Sequence, residues 1–381
     1  MFFESFQMIG NRGYIMNKTG FGFLRLPRLD ANDEKSVDYQ LLNQMVDMFL
    51  ENGGTYFDTA YTYLGGVSEE ALRKSLVERH PRNAFQIATK LPGYKVKSYE
   101  ECWTLFEEQQ NRCGVSFFDV YLLHWLNHKN YALAEQYDEF RFLRELKATG
   151  KAKEIGFSYH DGPELLDHIL SAHPEVDIVQ IQVNYLDWNS EALRAKELYE
   201  VAVKHNKKII IMEPVKGGNL AKIPENAEQI LKQLRPKESV ASWAIRFASS
   251  LEHVAIVLSG MNSKEQLYDN MRELDPITSE EFESLERVAE IIRSNTAIPC
   301  TGCNYCAPNC PMDIAIPRYF AIFNDYKRNP DEMWKMKPVY MEIKRAFSSP
   351  SSCIRCKNCE RNCPQKLGIV EYLQEVTDAF E

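Results

Sequence analysis

At 381 residues, 44% hydrophobic and 26% charged, the chain is long enough for one large core and a smaller second one, with an ordinary globular balance. A net charge of −9 argues against nucleic acid or an anionic membrane surface as the main partner. No apolar run reaches the length of a membrane span, and the opening MFFESFQMIGNRGY carries an early Glu4 and no apolar leader-type stretch; the expectation is a cytoplasmic protein with reduced thiols.

From the N-terminus, short β-branched runs alternate with longer amphipathic ones. The predicted strands are Gly22–Leu26, Thr55–Asp58, Phe85–Lys90, Val120–His124, Glu154–Ser158, Ile178–Val183, Lys208–Glu213 and Val254–Ser259. Between them lie helical patterns such as VDYQLLNQMVDMFLE, SYEECWTLFEEQQNRC and SEALRAKELYEVAVKH. Ser98 with Glu101, and Ser263 with Gln266, read as capping boxes. Eight strands each followed by a helix predict an α/β fold, a parallel (β/α)8 TIM barrel. A further helix after Thr278 leads out of it, and Ser294–Pro299 is the predicted boundary, giving domains 1–293 and 294–381.

Chemistry in such barrels sits where the strands end. Asp58, Lys90 and His124 close the second, third and fourth predicted strands, and Tyr63 follows five residues after Asp58. Singly, each has an ordinary reading: a helix cap, a solvated lysine, a structural histidine. The segments FDTAYTYLGGVSEEALRKSL, FQIATK, FDVYLLHW, AKEIGFS and LSGMNSKEQLYDN, in this order, resemble the aldo-keto reductase family. The resemblance spans most of the barrel and implies a catalytic tetrad of Asp58, Tyr63, Lys90 and His124. Tyr61 is a nearby phenol whose offset does not fit the family's Asp-Thr-Ala-x-x-Tyr pattern.

The implied roles make chemical sense. Carbonyl reduction needs a proton donor beside the developing alkoxide. A phenol at its ordinary pKa of about 10 is a poor donor at neutral pH, and a nearby ammonium favours the phenolate. Lys90 would do this for Tyr63, Asp58 would hold Lys90, and His124 would orient the carbonyl oxygen. Trp125, Tyr185 and Trp188 either line the substrate mouth or pack the scaffold.

Loops after the seventh and eighth strands often bind phosphate in this architecture. Here they read EPVKGGNL and SGMNSKEQLYDN. Lys216, Gly217 and Gly218 combine charge with close backbone approach. By resemblance, Ser259, Gly260, Ser263, Lys264, Gln266 and Asn270 take the nucleotide end of NADP(H), and Ser158, Gln182 and Asn184 lie where the family grips the nicotinamide amide. One departure stands out. Where the family often stacks a tyrosine on nicotinamide, at the end of the seventh strand, the chain reads Met212-Glu213.

Ten cysteines are unevenly placed. Cys102 and Cys113 fall in a helical pattern and read as packing residues. The other eight form two runs, Cys300-x2-Cys303-x2-Cys306-x3-Cys310-Pro and Cys353-x2-Cys356-x2-Cys359-x3-Cys363-Pro. This is the spacing of bacterial ferredoxins, in which three close thiolates hold one cubane and the fourth cysteine crosses to the other. Cys300, Cys303, Cys306 and Cys363 are thus expected at one [4Fe-4S] cluster, and Cys353, Cys356, Cys359 and Cys310 at the second. Structural zinc is the alternative, but zinc prefers paired C-x2-C units. Clusters that merely staple a small module are another. Helical spacing in the spacer 311–352 and in the tail GIVEYLQEVTDAF predicts a small, mainly helical ferredoxin-like domain.

Together these features resemble an iron–sulfur branch of the aldo-keto reductases. They imply reduction of a carbonyl or other unsaturated small molecule, with electrons relayed through the clusters and exchanged with a ferredoxin or other redox partner protein. An electron-transfer subunit with the barrel as a flavin- or nucleotide-binding scaffold is the alternative. Nicotinamide moves electrons in pairs and clusters move them singly, so a flavin, in place of or beside NADP(H), is a further expectation.

Overall fold

The computed structural model describes residues 18–30, 33–328 and 330–381; the MFFESFQMIGNRGY segment read above lies outside them. The chain packs as two compact units: Met1–Asn189, Arg194–Val215 and Ala241–Thr278 form one, and Ser190–Leu193, Lys216–Val240 and Ser279–Glu381 the other.

In the first unit, eight strands close into a barrel in chain order. They are β1 (Thr19–Gly22), β2 (Tyr56–Asp58), β3 (Gln86–Leu91), β4 (Phe118–Leu126), β5 (Ala152–Tyr159), β6 (Ile178–Gln182), β7 (Lys208–Met212) and β8 (Val254–Ser259). Every neighbour pair is parallel, β1 with β8 included. Parallel strands need crossover connections, and the amphipathic stretches supply them as helices. The barrel is plugged by Tyr56, Ala88, Val120, Leu122, Ile178, Ile210 and Leu258, a packed core rather than a pore. Cys102 and Cys113 are fully buried in the helix Tyr99–Cys113.

The first strand lies three residues upstream of its predicted start. Thr19–Gly22 holds two glycines, which weaken a strand reading, yet Gly20 pairs with Tyr56 and Leu258. A Cβ there would lie 2.7 Å from the Ile256 and Leu258 side chains, so the barrel wall admits only glycine without rearrangement. Both predicted capping boxes form. Ser98 and Ser263 accept from the amides of Glu101 and Gln266, whose side chains reach back to the amides of Lys97 and Asn262.

The second unit is helical, with Ser279–Ser294, Ile316–Arg328, Met333–Ala346 and Ile369–Phe380 as its main helices. Its core gathers Ile298, Ile314, Tyr319, Phe320, Phe323, Tyr340 and Leu373, and Cys306 and Cys359 are built into it.

The approach of β5 to β6 is tightest at Gly156, opposite Ile178. A Cβ on Gly156 would sit 2.1 Å from the Ile178 carbonyl oxygen, a backbone atom that cannot rotate away. Gly156→Ala should therefore destabilise the barrel by about 1–3 kcal/mol or more, read as a lowered urea midpoint; an unchanged midpoint would contradict this packing.

Candidate functional site

Asp58 ends β2, and the chain turns at once into Tyr63–Gly66. That turn is pinned by Ser68, whose hydroxyl contacts Thr59 Oγ1 at 2.7 Å and donates to the Phe23 carbonyl at 3.0 Å. Lys90, near the end of β3, is 0% exposed. Its ammonium donates to Asp58 Oδ1 at 2.6 Å and to the Thr59 carbonyl at 2.9 Å, and lies 4.9 Å from the Tyr63 ring centre. His124, on β4, stands edge-on to Tyr63 with ring centres 5.7 Å apart. The structure thus brings Asp58, Tyr63, Lys90 and His124 together at the C-terminal ends of β2, β3 and β4.

Burial pulls the Lys90 ammonium below the ordinary lysine range, and Asp58 works against that pull. Burial first, then the charge of Lys90 and the ring of His160, hold His124 well below the ordinary imidazole range. It therefore faces the site as a neutral ring that can donate a hydrogen bond without adding charge.

Beneath Lys90 runs a buried polar chain. Tyr121 donates to Gln109 at 2.6 Å. Gln109 donates to Glu69 at 2.7 Å and to the Lys90 carbonyl at 3.1 Å, and Thr89 donates to the same Glu69 oxygen at 2.7 Å. Burial pushes Glu69 up to about 7 against those donors. Tyr61 points elsewhere, its hydroxyl on Glu108 at 3.2 Å and its ring under Arg112.

The three aromatics divide between the two readings. Trp125 stands at a left-handed φ of 64°, with ring neighbours Tyr94 and His160. Strained backbone beside a catalytic position is a recurrent functional feature. Tyr185 and Trp188 pack on Phe247 instead, inside the scaffold. Tyr94, whose ring centre is 6.3 Å from that of His124, was missed because nothing in the run LPGYK distinguishes it from an ordinary loop tyrosine. His160 carried the same lack of local signal.

In the second unit the eight C-terminal cysteines form two nests. Cys300, Cys303, Cys306 and Cys363 line one small pocket, and Cys310, Cys353, Cys356 and Cys359 line another. The fourth cysteine of each run has crossed to the other nest. Among the described residues no group of three or more His, Cys, Asp or Glu closes on a single metal ion. A tetrahedral zinc site would demand such closure at about 2.3 Å from one point. Four thiols converging on one apolar pocket, in runs that each end in Cys-Pro, fit a cubane.

Residues 20–290 match the aldo/keto reductase family, and residues 299–367 match a 4Fe-4S dicluster domain. The chain belongs to the aldo/keto reductase family. It is an oxidoreductase carrying an iron–sulfur domain. Among its relatives is a 9,11-endoperoxide prostaglandin H2 reductase of Trypanosoma cruzi, 23% identical over 270 residues that cover 70% of this chain and 89% of that protein. A glyoxal reductase of Bacillus subtilis is 23% identical over 60% of this chain and 75% of its own length. A holo-form aldo-keto reductase from Bacillus halodurans superposes with a TM-score of 0.56 at 23% identity, covering 73% of this chain and 95% of that one. An aldo/keto reductase from Klebsiella pneumoniae in complex with NADP and acetate gives 0.56 at 17% identity, covering 71% and 91%.

The residues expected at an aldo-keto reductase nucleotide site are spread over several local networks. Ser158 Oγ accepts from the Trp125 amide at 2.7 Å and so holds the strained residue. Gln182 and Asn184 both donate to Asp187 Oδ2, at 3.0 and 2.8 Å. Glu213, where a stacking tyrosine is often found, has a left-handed φ of 54° and pairs with Arg25 at 3.6 Å. Arg25 also lies against Gly260, where a Cβ would meet it at 3.2 Å. Asn270 donates to Ser259 at 2.7 Å, and Ser263 and Gln266 form the cap of the short helix Lys264–Asn270. Lys264 stands in that helix's first turn, exposed. Lys216, Gly217 and Gly218 belong to the second unit. There Lys216 is buried and donates to Gln365 at 3.0 Å, while Asn219 donates to the Cys300 carbonyl at 3.0 Å.

Glu139 lies 1% exposed against Gly93, just before Tyr94, and its Oε1 has no hydrogen-bond partner among the described residues. Burial pushes its carboxyl up to about 8. Between the ordinary value near 4.3 and 8, the folded form holds a proton that the unfolded form has lost. Stability from this group is therefore full in acid and lost as pH rises through 8. Glu139→Gln should be more stable than the parent by roughly 2 kcal/mol or more at pH 9, with the difference vanishing near pH 4; urea titrations across that range measure it.

Proposed function

We propose that this protein is a cytoplasmic enzyme that reduces a carbonyl or other unsaturated small molecule in the barrel, with electrons relayed through two [4Fe-4S] clusters. The observation that carries the reading is the buried Lys90–Asp58 pair facing Tyr63 beside a neutral His124. The Trypanosoma and Bacillus relatives, named as reductases, support the class of reaction, and the NADP complex from Klebsiella supports the nucleotide.

When bound, NADP(H) would supply the hydride, and with it both electrons of the reduction, while the clusters would return electrons singly, two per turnover, toward the oxidised nicotinamide. Tyr63 gives its proton to the substrate oxygen as negative charge develops there. The Lys90 ammonium stabilises the phenolate left behind, and Asp58 keeps that ammonium in place. His124 Nε2 or Nδ1 donates to the same oxygen and aligns it. The first loop of the eighth βα connection, Ser259 and Gly260 with Ser263, Lys264, Gln266 and Asn270, would hold the nucleotide phosphates, and Ser158 and Gln182 the nicotinamide amide. Cys300, Cys303, Cys306 and Cys363 would ligate one cluster and Cys310, Cys353, Cys356 and Cys359 the other. Because hydride and single electrons must interconvert, a flavin in the barrel is part of the proposal.

Anaerobically purified protein should contain about eight irons per chain, and its acid extract should show flavin fluorescence. Tyr63→Phe should lower turnover by about 10²–10⁴-fold with iron content and cluster spectra unchanged. Lys90→Met should do the same. Full turnover in both variants would instead favour an electron-transfer subunit with the barrel as scaffold.

A further inference from the structure

The two cysteine nests differ sharply in their electrostatic setting. The run from Cys300 to Met312 contains no charged residue, and the nest built on it is lined by Thr301, Asn304, Phe320 and Leu367 among others, all uncharged. The run from Cys353 to Lys366 contains Arg355, Lys357, Arg361 and Lys366 against the single acid Glu360, in a chain whose net charge is −9. All four cations are exposed.

Glu360 does little to offset them from a partner's viewpoint. One of its oxygens accepts from the Val370 amide at 2.9 Å, and the other lies 3.7 Å from Lys357, so it is turned back onto its own unit. The helix Ile369–Phe380 contributes Val370 and Leu373 to the lining of the same nest. Its acids Glu371, Glu375 and Asp378 are exposed, off the buried Val370–Leu373–Val376 stripe.

In this cationic run stands Ile354. It is 60% exposed and also lines the nest of Cys310, Cys353, Cys356 and Cys359, as does Lys357. One apolar side chain thus reaches from solvent to the wall of the nest, next in the chain to Arg355 and sharing that wall with Lys357. Protein interfaces commonly set apolar side chains inside a polar rim. Charge of one sign raises the encounter rate with a partner of the other sign.

We propose that the surface around Ile354, with Arg355 next to it in the chain and Lys357 on the same nest wall, is the docking face for a small acidic one-electron carrier protein, which exchanges electrons with the cluster of Cys310, Cys353, Cys356 and Cys359. This rests on the reading of the clusters as redox carriers. One electron passes per encounter: the carrier is oxidised by one electron as the cluster is reduced by one, and no bond is made or broken.

The test uses the full iron-loaded chain and a reduced acidic plant-type ferredoxin as probe, with stopped-flow absorbance as readout. For the parent, the second-order rate should fall steeply as salt rises from low to physiological strength. In Arg355→Glu/Lys357→Glu the rate at low salt should drop about tenfold or more and its salt dependence should flatten or invert. Ile354→Ser should slow transfer without altering the salt dependence. Iron content, and the extent of cluster reduction by dithionite, should match the parent in both. A charge-reversed variant with full iron and an unchanged rate and salt profile would overturn the docking face while leaving the relay standing. Clusters that dithionite cannot reduce even in the parent would overturn the relay, and the docking face with it.

Discussion

A lysine ammonium at the dry end of a barrel is the constraint from which the active-site architecture follows. Left unpaired, a buried charge costs several kcal/mol, and removing one partner of a buried pair costs about 3–5 kcal/mol. Lys90 is wholly enclosed, so its surroundings must supply acceptors, and Asp58 and the Thr59 carbonyl do so from the neighbouring strand end. That requirement fixes where β2 stops and how the chain turns into Tyr63. It also accounts for the hydroxyl pair Thr59–Ser68, which holds the turn. The chain of Tyr121, Gln109, Glu69 and Thr89 holds the Lys90 backbone from below. Position is thus enforced from both sides, which lets one ammonium act on one phenol.

The cysteine nests obey a similar logic with the sign of the problem reversed. Burial pushes the Cys306 thiol well above its ordinary value and the Cys359 thiol up to about 11, so the apolar core alone favours neutral thiols. Thiolates there are stable only with cationic iron among them. Metal binding and the packing of Ile314, Phe320 and Leu373 are therefore one event, and the small helical unit owes its cohesion to both. The crossed fourth cysteines tie the two runs to each other across the largely helical spacer 311–352.

Much of this was legible in the residues. Seven strands were located within a few positions because β-branched runs bounded by turn residues leave little choice. The first was displaced because a glycine-rich wall of a barrel does not look like a strand until its neighbours are known. The nests were legible because cubane chemistry dictates a spacing. The juxtaposition of Asp58, Tyr63, Lys90 and His124 was legible through the family resemblance together with the polar residues at strand ends. The mouth was not. Tyr185 and Trp188 share their residue types with Tyr94 and Trp125, and only packing on Phe247 distinguishes scaffold from surface.

The loop Lys216–Gly218 shows the deepest reason for that limit. Two glycines beside a lysine make a backbone that can approach an anion closely, and that property is local. Which anion it approaches is not local at all. In this fold the chain leaves β7 and enters the second unit, where Lys216 is buried on Gln365, two residues from Cys363, and Asn219 holds the Cys300 carbonyl. A buried ammonium must find acceptors wherever the chain carries it. Composition therefore specifies an anion-compatible loop, whereas the crossing of the chain from one unit to the other decides which acceptors its lysine meets, here the Gln365 side chain.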